Sequence, residues 1–365
     1  MKKRAKTRLT TLVATALIAV ACGAPPPPKP PPPPVDADIA DLVPAGPDQM
    51  ARIDVEALRS SSLWQLTEIL SGIVDISEIE SVAGFDPLAL VDEVIVAGTD
   101  RPGAADDRMI AVVKGRFDAD ALVSAVIASG EATSGGVAGK SGALNDEGAL
   151  IAVTGRTVIL GNEEMVRASL ELADAIRGEL PGPGPDSIED DPRFGDVSLA
   201  PGECVTVMYR RGDSPPDLRR LRRTPLGSWR WMEKVASLDA SAEATTHFAV
   251  GVTVEMDSEP DARRARRDVS KSVRRLSRNA FVRMLGIAPF LEPLQVSGEG
   301  KTASFAYALS AEEIANLAKL ADRFRQMKEL LSGEEKRDEP VELDPPLMKI
   351  APSDADSPHP DEGRI

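Results

Sequence analysis

Apolar residues recur along the chain at two spacings, every second residue in short runs and every third or fourth in longer ones, which divides it into strands and helices. Between residues 36 and 177 the first run, Gln49 to Val55, predicts a strand. A helix is predicted from about Ser61 to Ile73, with Leu63, Trp64, Leu66, Ile69, Leu70 and Ile73 as its apolar face, and a short helix over Ser77 to Ala83. Glu93 to Thr99 and Met109 to Lys114 predict two strands joined by a Pro-Gly loop. Asp118 is placed to cap a helix reaching about Ser129. A Gly-rich loop follows, then a hairpin of Ala149 to Thr154 and Thr157 to Leu160 turning at Gly155-Arg156, then a helix from Glu163 to Ile176.

Residues 178–202 are rich in Pro, Gly and Asp and read as a linker. Residues 203–331 resume the rhythm. Strands are expected at Cys204 to Tyr209, Ser237 to Ala242 and Thr246 to Met256, the last with Phe248, Val250, Val252, Val254 and Met256 on one face. Leu218 to Val235 reads as a broken helix and Asp261 to Leu285 as one long helix. Gln295 to Gly298 and Ala303 to Leu309 form a hairpin, and Ser310 with Glu313 makes a capping box for a helix ending at Leu331. Both halves read β-α-β-β-α-β-β-α, with extra turns in the first. The expected fold is α+β: two tandem antiparallel-sheet modules backed by helices, a ferredoxin-like variant after a signal peptide and Pro-rich tether. Residues 332–365 are acidic, Pro-rich and poor in large apolar side chains, the composition of a disordered tail.

The N-terminus follows neither rhythm. Lys2, Lys3, Arg4, Lys6 and Arg8 precede the apolar run Leu9 to Cys22, which ends in Ala19-Val20-Ala21-Cys22-Gly23. The run has 14 residues, short of the ~20 that cross a bilayer as a helix, and has the layout of an export signal. These residues resemble the signal and lipobox of bacterial lipoproteins. The resemblance implies removal of residues 1–21, with cleavage between Ala21 and Cys22, and acylation of Cys22. The alternative is an ordinary signal cut after Ala21 or Ala24. Gly23 differs from the Asp that in lipoproteins often marks inner-membrane retention, so the resemblance favours the outer membrane, on the periplasmic or outward side. Residues 22–35 carry the tether, with nine prolines in the eleven residues Ala24 to Pro34. Such a run forms a polyproline II spacer of roughly 30 Å. Asp190-Asp191-Pro192-Arg193-Phe194 resembles the junction of tandem-repeat secreted proteins and lipoproteins of unknown function, which implies no activity.

Charge is unevenly shared. Residues 36–200 carry 11 positive and 31 negative charges, residues 201–331 carry 22 and 17, and residues 332–365 carry 4 and 10. The acidic half argues against nucleic acid and anionic membrane as partners for that half. With Cys22 lipidated, Cys204 has no intrachain partner for a disulfide.

Candidate chemistry is sparse. Ser134 to Ser141 resembles a P-loop ending in Gly139-Lys140-Ser141, yet the strand before and helix after that phosphate binding needs are missing, so a hairpin loop is expected. Cys204 and His247 lack a nucleophile signature, and His359 lies in the tail. No zinc or calcium spacing occurs. Asp106-Asp107, Glu163-Glu164 and Asp190-Asp191 fit turns and first helical turns, and Arg211-Gly212-Asp213 fits a turn after a strand. No catalytic, cofactor or metal residues are therefore assigned. The strongest feature is a cationic helix, where Arg263, Arg264, Arg266, Arg267, Lys271, Arg274, Arg275 and Arg278 surround an apolar stripe of Ala262, Ala265, Val269, Val273, Leu276 and Ala280. It reads either as a solvated face or as a dock for an anionic partner, whether a lipid headgroup, an acidic polymer, the protein's own tail or the acidic half of another copy, which Arg219, Arg220, Arg222 and Arg223 would widen. The expected function is a lipid-anchored, non-enzymatic binding or scaffold protein of the cell envelope. The alternatives are a lipid or lipoprotein carrier with an apolar cavity, and a hydrolase of unrecognised type.

Overall fold

The computed structural model of the chain describes residues 38–61, 64, 87–99, 108–130, 132–146, 148–180, 184–212, 230–245, 247–320 and 323. The signal with Ala21 and Cys22, the tether, most of the helix expected over 61–73, the segment 77–83, Arg219 to Arg223 and the tail 332–365 lie outside the described residues. The chain divides into a unit spanning Met1–Ala321 and a second spanning Asp322–Ile365. Every described strand belongs to the first unit.

Strands β1 (Gln49–Asp54), β2 (Val91–Thr99) and β3 (Arg108–Gly115) form an antiparallel meander. Helix α1 (Val55–Ser60) follows β1 directly, because the Asp54 carboxylate accepts from the Ala57 amide at 2.7 Å and caps it. Helix α2 (Pro87–Leu90) leads into β2. Helix α3 (Ala119–Ala128) starts at Asp118, whose carboxylate accepts from the Ala121 amide at 3.0 Å, as expected. Four strands succeed it: β4 (Thr133–Val137), β5 (Lys140–Asn145), β6 (Gly148–Thr154) and β7 (Thr157–Gly161). Helix α4 (Glu163–Ile176), capped by Asn162, closes this half.

The second half repeats the plan with fewer strands. It comprises β8 (Glu203–Arg210), β9 (Val235–Ala244) and β10 (His247–Met256), then helices α5 (Glu259–Arg278) and α6 (Ala280–Met284), then β11 (Gln295–Ser297) and β12 (Thr302–Ser310). Residues 311–320 form helix α7. The expected capping box is present, with the Ser310 amide donating to Glu313 Oε2 at 2.8 Å and the Glu313 amide to Ser310 Oγ at 3.3 Å.

The fold is mixed α+β, as the periodicity predicts, but the sheets of the two halves are one. Among the described residues twelve strands run in the order β11-β12-β10-β9-β8-β1-β2-β3-β7-β6-β5-β4. Strands β1 and β8 join the halves through an antiparallel register from Gln49–Tyr209 to Ile53–Val205. Each half is a three-stranded meander, then a helix, then a return strand antiparallel to the third strand, β7 on β3 and β12 on β10. The strand that follows each crossover helix is parallel to the strand before it, as in a split β-α-β unit: β11 to β10 with β12 between them, and β4 to β3 with β7, β6 and β5 between them.

Alternation sends Ile95, Ala97, Ile110 and Val112 to one face, under α4, and Ala111, Val113, Val158 and Leu160 to the other, under α3. Each buried Val, Leu or Ile contributes roughly 1.5–3 kcal/mol. The stretch expected to be a linker joins the first of these cores: Ile188, Phe194 and Val197 are buried in it beside Ile39 and Leu42. Asp191 pairs with Arg193 at 2.7 Å and accepts from the Gly46 amide at 3.2 Å, tying this stretch to the start of the fold. In β8, Met208 packs toward the core under α4 and its neighbour Tyr209 toward the core under α5. Alternation thus places α5 on the same sheet face as α3.

Candidate functional site

Helix α5 begins at Ser258, whose hydroxyl accepts from the Asp261 amide at 3.4 Å, with Pro260 in the first turn. Ala262 and Ala265 are fully buried, and residues this small bring the helix axis close to the sheet. Val269 and Val273 extend the contact toward Trp231, Val254, Met256 and Ala303. The expected stripe ends there. Leu276 is 47% exposed, because the helix runs past the packed core before it stops. It also does not reach Leu285. Asn279 takes an extended conformation and its side chain accepts from the Phe281 amide at 2.9 Å, starting α6 at an angle. Phe281 is left 62% and Met284 74% exposed. The helical rhythm masked both; the capping tendency of Asn279 was the signal that a new helix begins there.

The eight cations take different places. Arg266 is half-buried and donates from Nη1 to the Thr302 carbonyl at 2.7 Å, so it fixes the helix to β12. Arg263 pairs with Glu259 one turn earlier at 3.1 Å. Arg264, Arg267, Lys271, Arg274, Arg275 and Arg278 are exposed and have no carboxylate within ion-pair distance among the described residues. Arg275 and Arg278 lie in the last turn, where the helix dipole favours positive charge. A cleft of about 360 Å³ lies between Val273, Arg274 and Ser277 of α5 and the segment Leu291 to Val296.

The remaining candidates are placed apart from this face. Ser134 to Ser141 is a hairpin, β4 on β5, turning at Ala138 and Gly139, both with positive φ. A two-residue turn of that kind does not form the concave loop that cradles phosphate. Cys204 is buried, its thiol donating to the Ala242 carbonyl at 3.3 Å, and burial pushes its pKa up. His247 is exposed, with Nε2 3.9 Å from Glu243. Arg211 is spent on Asp257 at 2.7 Å and on the Glu233 and Val235 carbonyls. Glu163 and Glu164 lie in the first turn of α4, and Asp190 accepts from the Ser187 amide at 3.2 Å. Asp106, Asp107, Asp213 and His359 lie outside the described residues. Among the described residues no three His, Cys, Asp or Glu side chains gather as a metal site, and no helix is long and apolar enough to cross a membrane.

No known protein family matches the sequence, and no curated protein does. Solved structures similar to the chain are crystal forms of TP0453, a Treponema protein. Form III superposes with a TM-score of 0.44 and 13% identity over 78% of this chain and 98% of that one. Form I gives 0.41 and 11% over 78% and 98%, and form IV 0.41 and 13% over 76% and 95%.

Proposed function

We propose that the protein is a lipid-anchored, non-enzymatic binding component of the cell envelope, held through Cys22 and its Pro-rich tether, and that the α5–α6 face docks an anionic partner. One observation carries the docking: six cations stand on one helix with no carboxylate partner among the described residues, beside three exposed large apolar side chains. A solvated face explains the cations, but it does not explain Phe281 and Met284 among them, since large apolar side chains grouped on a surface mark contact sites. Charge draws the partner in and apolar contact holds it. The anchor is supported by the charged start, the short apolar run and the position of Cys22. One acyl chain holds a protein marginally and several hold it firmly.

The test is binding to a soluble polyanion and to anionic vesicles across a salt series. Arg264→Gln, Arg267→Gln, Arg274→Gln and Arg275→Gln combined should abolish salt-sensitive binding, while Phe281→Ser with Met284→Ser should weaken it without changing its salt slope. Binding that ignores both sets refutes the assignment. The carrier reading is favoured by the cleft beside α5, whose volume of about 360 Å³ is at the small end for ligand sites. Lipid co-purifying in stoichiometric amount would support it.

A further inference from the structure

Three arginines converge on one carboxylate at the opposite half of the sheet. Asp92 Oδ1 accepts from Arg59 Nη2 at 3.0 Å and from Arg116 Nε at 3.1 Å, and its Oδ2 accepts from Arg156 Nη2 at 2.9 Å. Among these four side chains cations outnumber anions three to one, within residues 36–200 where negative charges outnumber positive by 31 to 11.

The guanidinium groups are held before any ligand arrives. Arg59 Nη1 donates to the Val91 carbonyl at 2.9 Å, Arg116 Nη2 to the Ala89 carbonyl at 2.6 Å and Arg156 Nε to the Gly115 carbonyl at 2.7 Å. The segments that carry them are stitched by backbone bonds, Arg116 amide to Leu90 carbonyl at 2.7 Å and Gly115 amide to Arg156 carbonyl at 3.0 Å. Gly115 is required at that crossing, because a Cβ there would sit 2.4 Å from the Leu90 carbonyl oxygen. The β2–β3 register shifts between Val91 and Glu93, so Asp92 occupies a bulge, a device that re-aims a side chain out of the ladder.

The arginines are nonetheless open outward. The side chains of Arg116 and Arg156 are 53% and 52% exposed, whereas that of Asp92 is 15% exposed. Nη1 of Arg116 and Nη1 of Arg156 have no partner among the described residues. Two planar forks fixed by carbonyls, half-exposed and each with an Nη1 that has no partner among the described residues, match a tetrahedral oxyanion. We infer that Arg116 and Arg156, with Arg59 behind them, form a binding site for a phosphomonoester dianion, separate from the α5–α6 face. The phosphomonoester is either the headgroup of a lipid or a soluble phosphate, and the recognition chemistry is the same.

The test uses the mature chain with Cys22→Ser and with the four α5 changes to Gln, so that the second cationic face is silent. Amide and arginine Nε–H signals are followed by NMR during titration with inorganic phosphate and with glycerol 1-phosphate, at constant ionic strength set with chloride. Vesicles containing phosphatidic acid or only phosphatidylcholine form the second arm. The site predicts saturable shifts confined to residues around Arg116 and Arg156. Arg116→Gln with Arg156→Gln should weaken binding about tenfold or more, the loss of two charge-assisted hydrogen bonds. Asp92→Asn should tighten it several-fold by removing the competing carboxylate, whereas a purely structural cluster predicts no gain. Should Asp92→Asn fail to fold, the double arginine change, at half-exposed positions, still decides. Saturation by soluble phosphate assigns a free ligand, and saturation only on phosphatidic acid assigns the headgroup. No saturation in either arm, or equal shifts with chloride alone, overturns the site.

Discussion

Replacing Phe194 by alanine separates a linker from a structural segment. Phe194 is 3% exposed and packs in the core under α4 with Ile188 and Val197. The guanidinium carbons of Arg193 and Arg210 each lie 5.7 Å from its ring centroid. Removing a buried Phe side chain costs about 3–5 kcal/mol through lost transfer energy and a residual cavity. The two cation–π contacts add about 0.5–1 kcal/mol each at such partly exposed sites. A loss of about 4–7 kcal/mol is therefore expected, a large share of the ~5–15 kcal/mol that holds a domain folded. With a urea m-value of about 3 kcal/mol/M, the midpoint falls by roughly 1.3–2.3 M while m stays unchanged. Equilibrium urea unfolding followed by far-UV circular dichroism measures this directly. A change within about 0.5 kcal/mol, the range for substitutions away from packed features, would refute the placement of residues 184–202 in the core.

Burial raises the pKa of Asp41, Glu93 and Glu189, so the folded state binds their protons more tightly than the unfolded chain. Stability should therefore rise as pH falls through these raised values toward the ordinary carboxylate range. Hydrogen bonds from Arg193 lower the pKa of Asp191. Its contribution is present above the ordinary carboxylate range and lost as pH falls through the lowered value, so thermal unfolding followed against pH should peak on the acid side of neutrality, and Asp191→Asn should flatten the acid limb. Ser310→Ala should cost about 1 kcal/mol, read by chemical denaturation, since it removes one half of the box that starts α7. Lys140→Ala should leave nucleotide binding absent and stability within about 0.5 kcal/mol, because Lys140 flanks a hairpin turn. Cys204 should resist a thiol reagent at pH 8 and react only on unfolding; reaction in the folded protein would contradict its burial.

Periodicity carried many of the described strands and helices, because these are amphipathic over their own length; β4 and β5, expected as a Gly-rich loop, were missed because Gly135, Gly136 and Gly142 erase the apolar alternation, and α1 was not anticipated. The helix Glu163–Ile176, the helix start at Asp118 and the hairpin at Gly155-Arg156 were all visible in local pattern. What local pattern does not carry is how strands combine. The β1–β8 pairing joins residues more than 150 positions apart, and nothing in either strand marks it as an edge or a centre. Residues 178–202 misled for a related reason: their Pro, Gly and Asp content is that of a loop, and only three large apolar residues reveal that the loop is packed. The cationic helix was plain in the sequence. The exposure of Phe281 and Met284 was not, because it depends on where the sheet beneath α5 ends. The Asp92 cluster draws on residues 59, 92, 116 and 156, too scattered for any motif.

The proposed role rests first on the protein being tethered where a partner can reach it. Intact mass and N-terminal peptide mass spectrometry of the mature protein from the envelope fraction tests this most directly. The expected result is a first residue of Cys22 carrying thioether-linked diacylglycerol. An unacylated N-terminus, or one beginning at another residue, would contradict it.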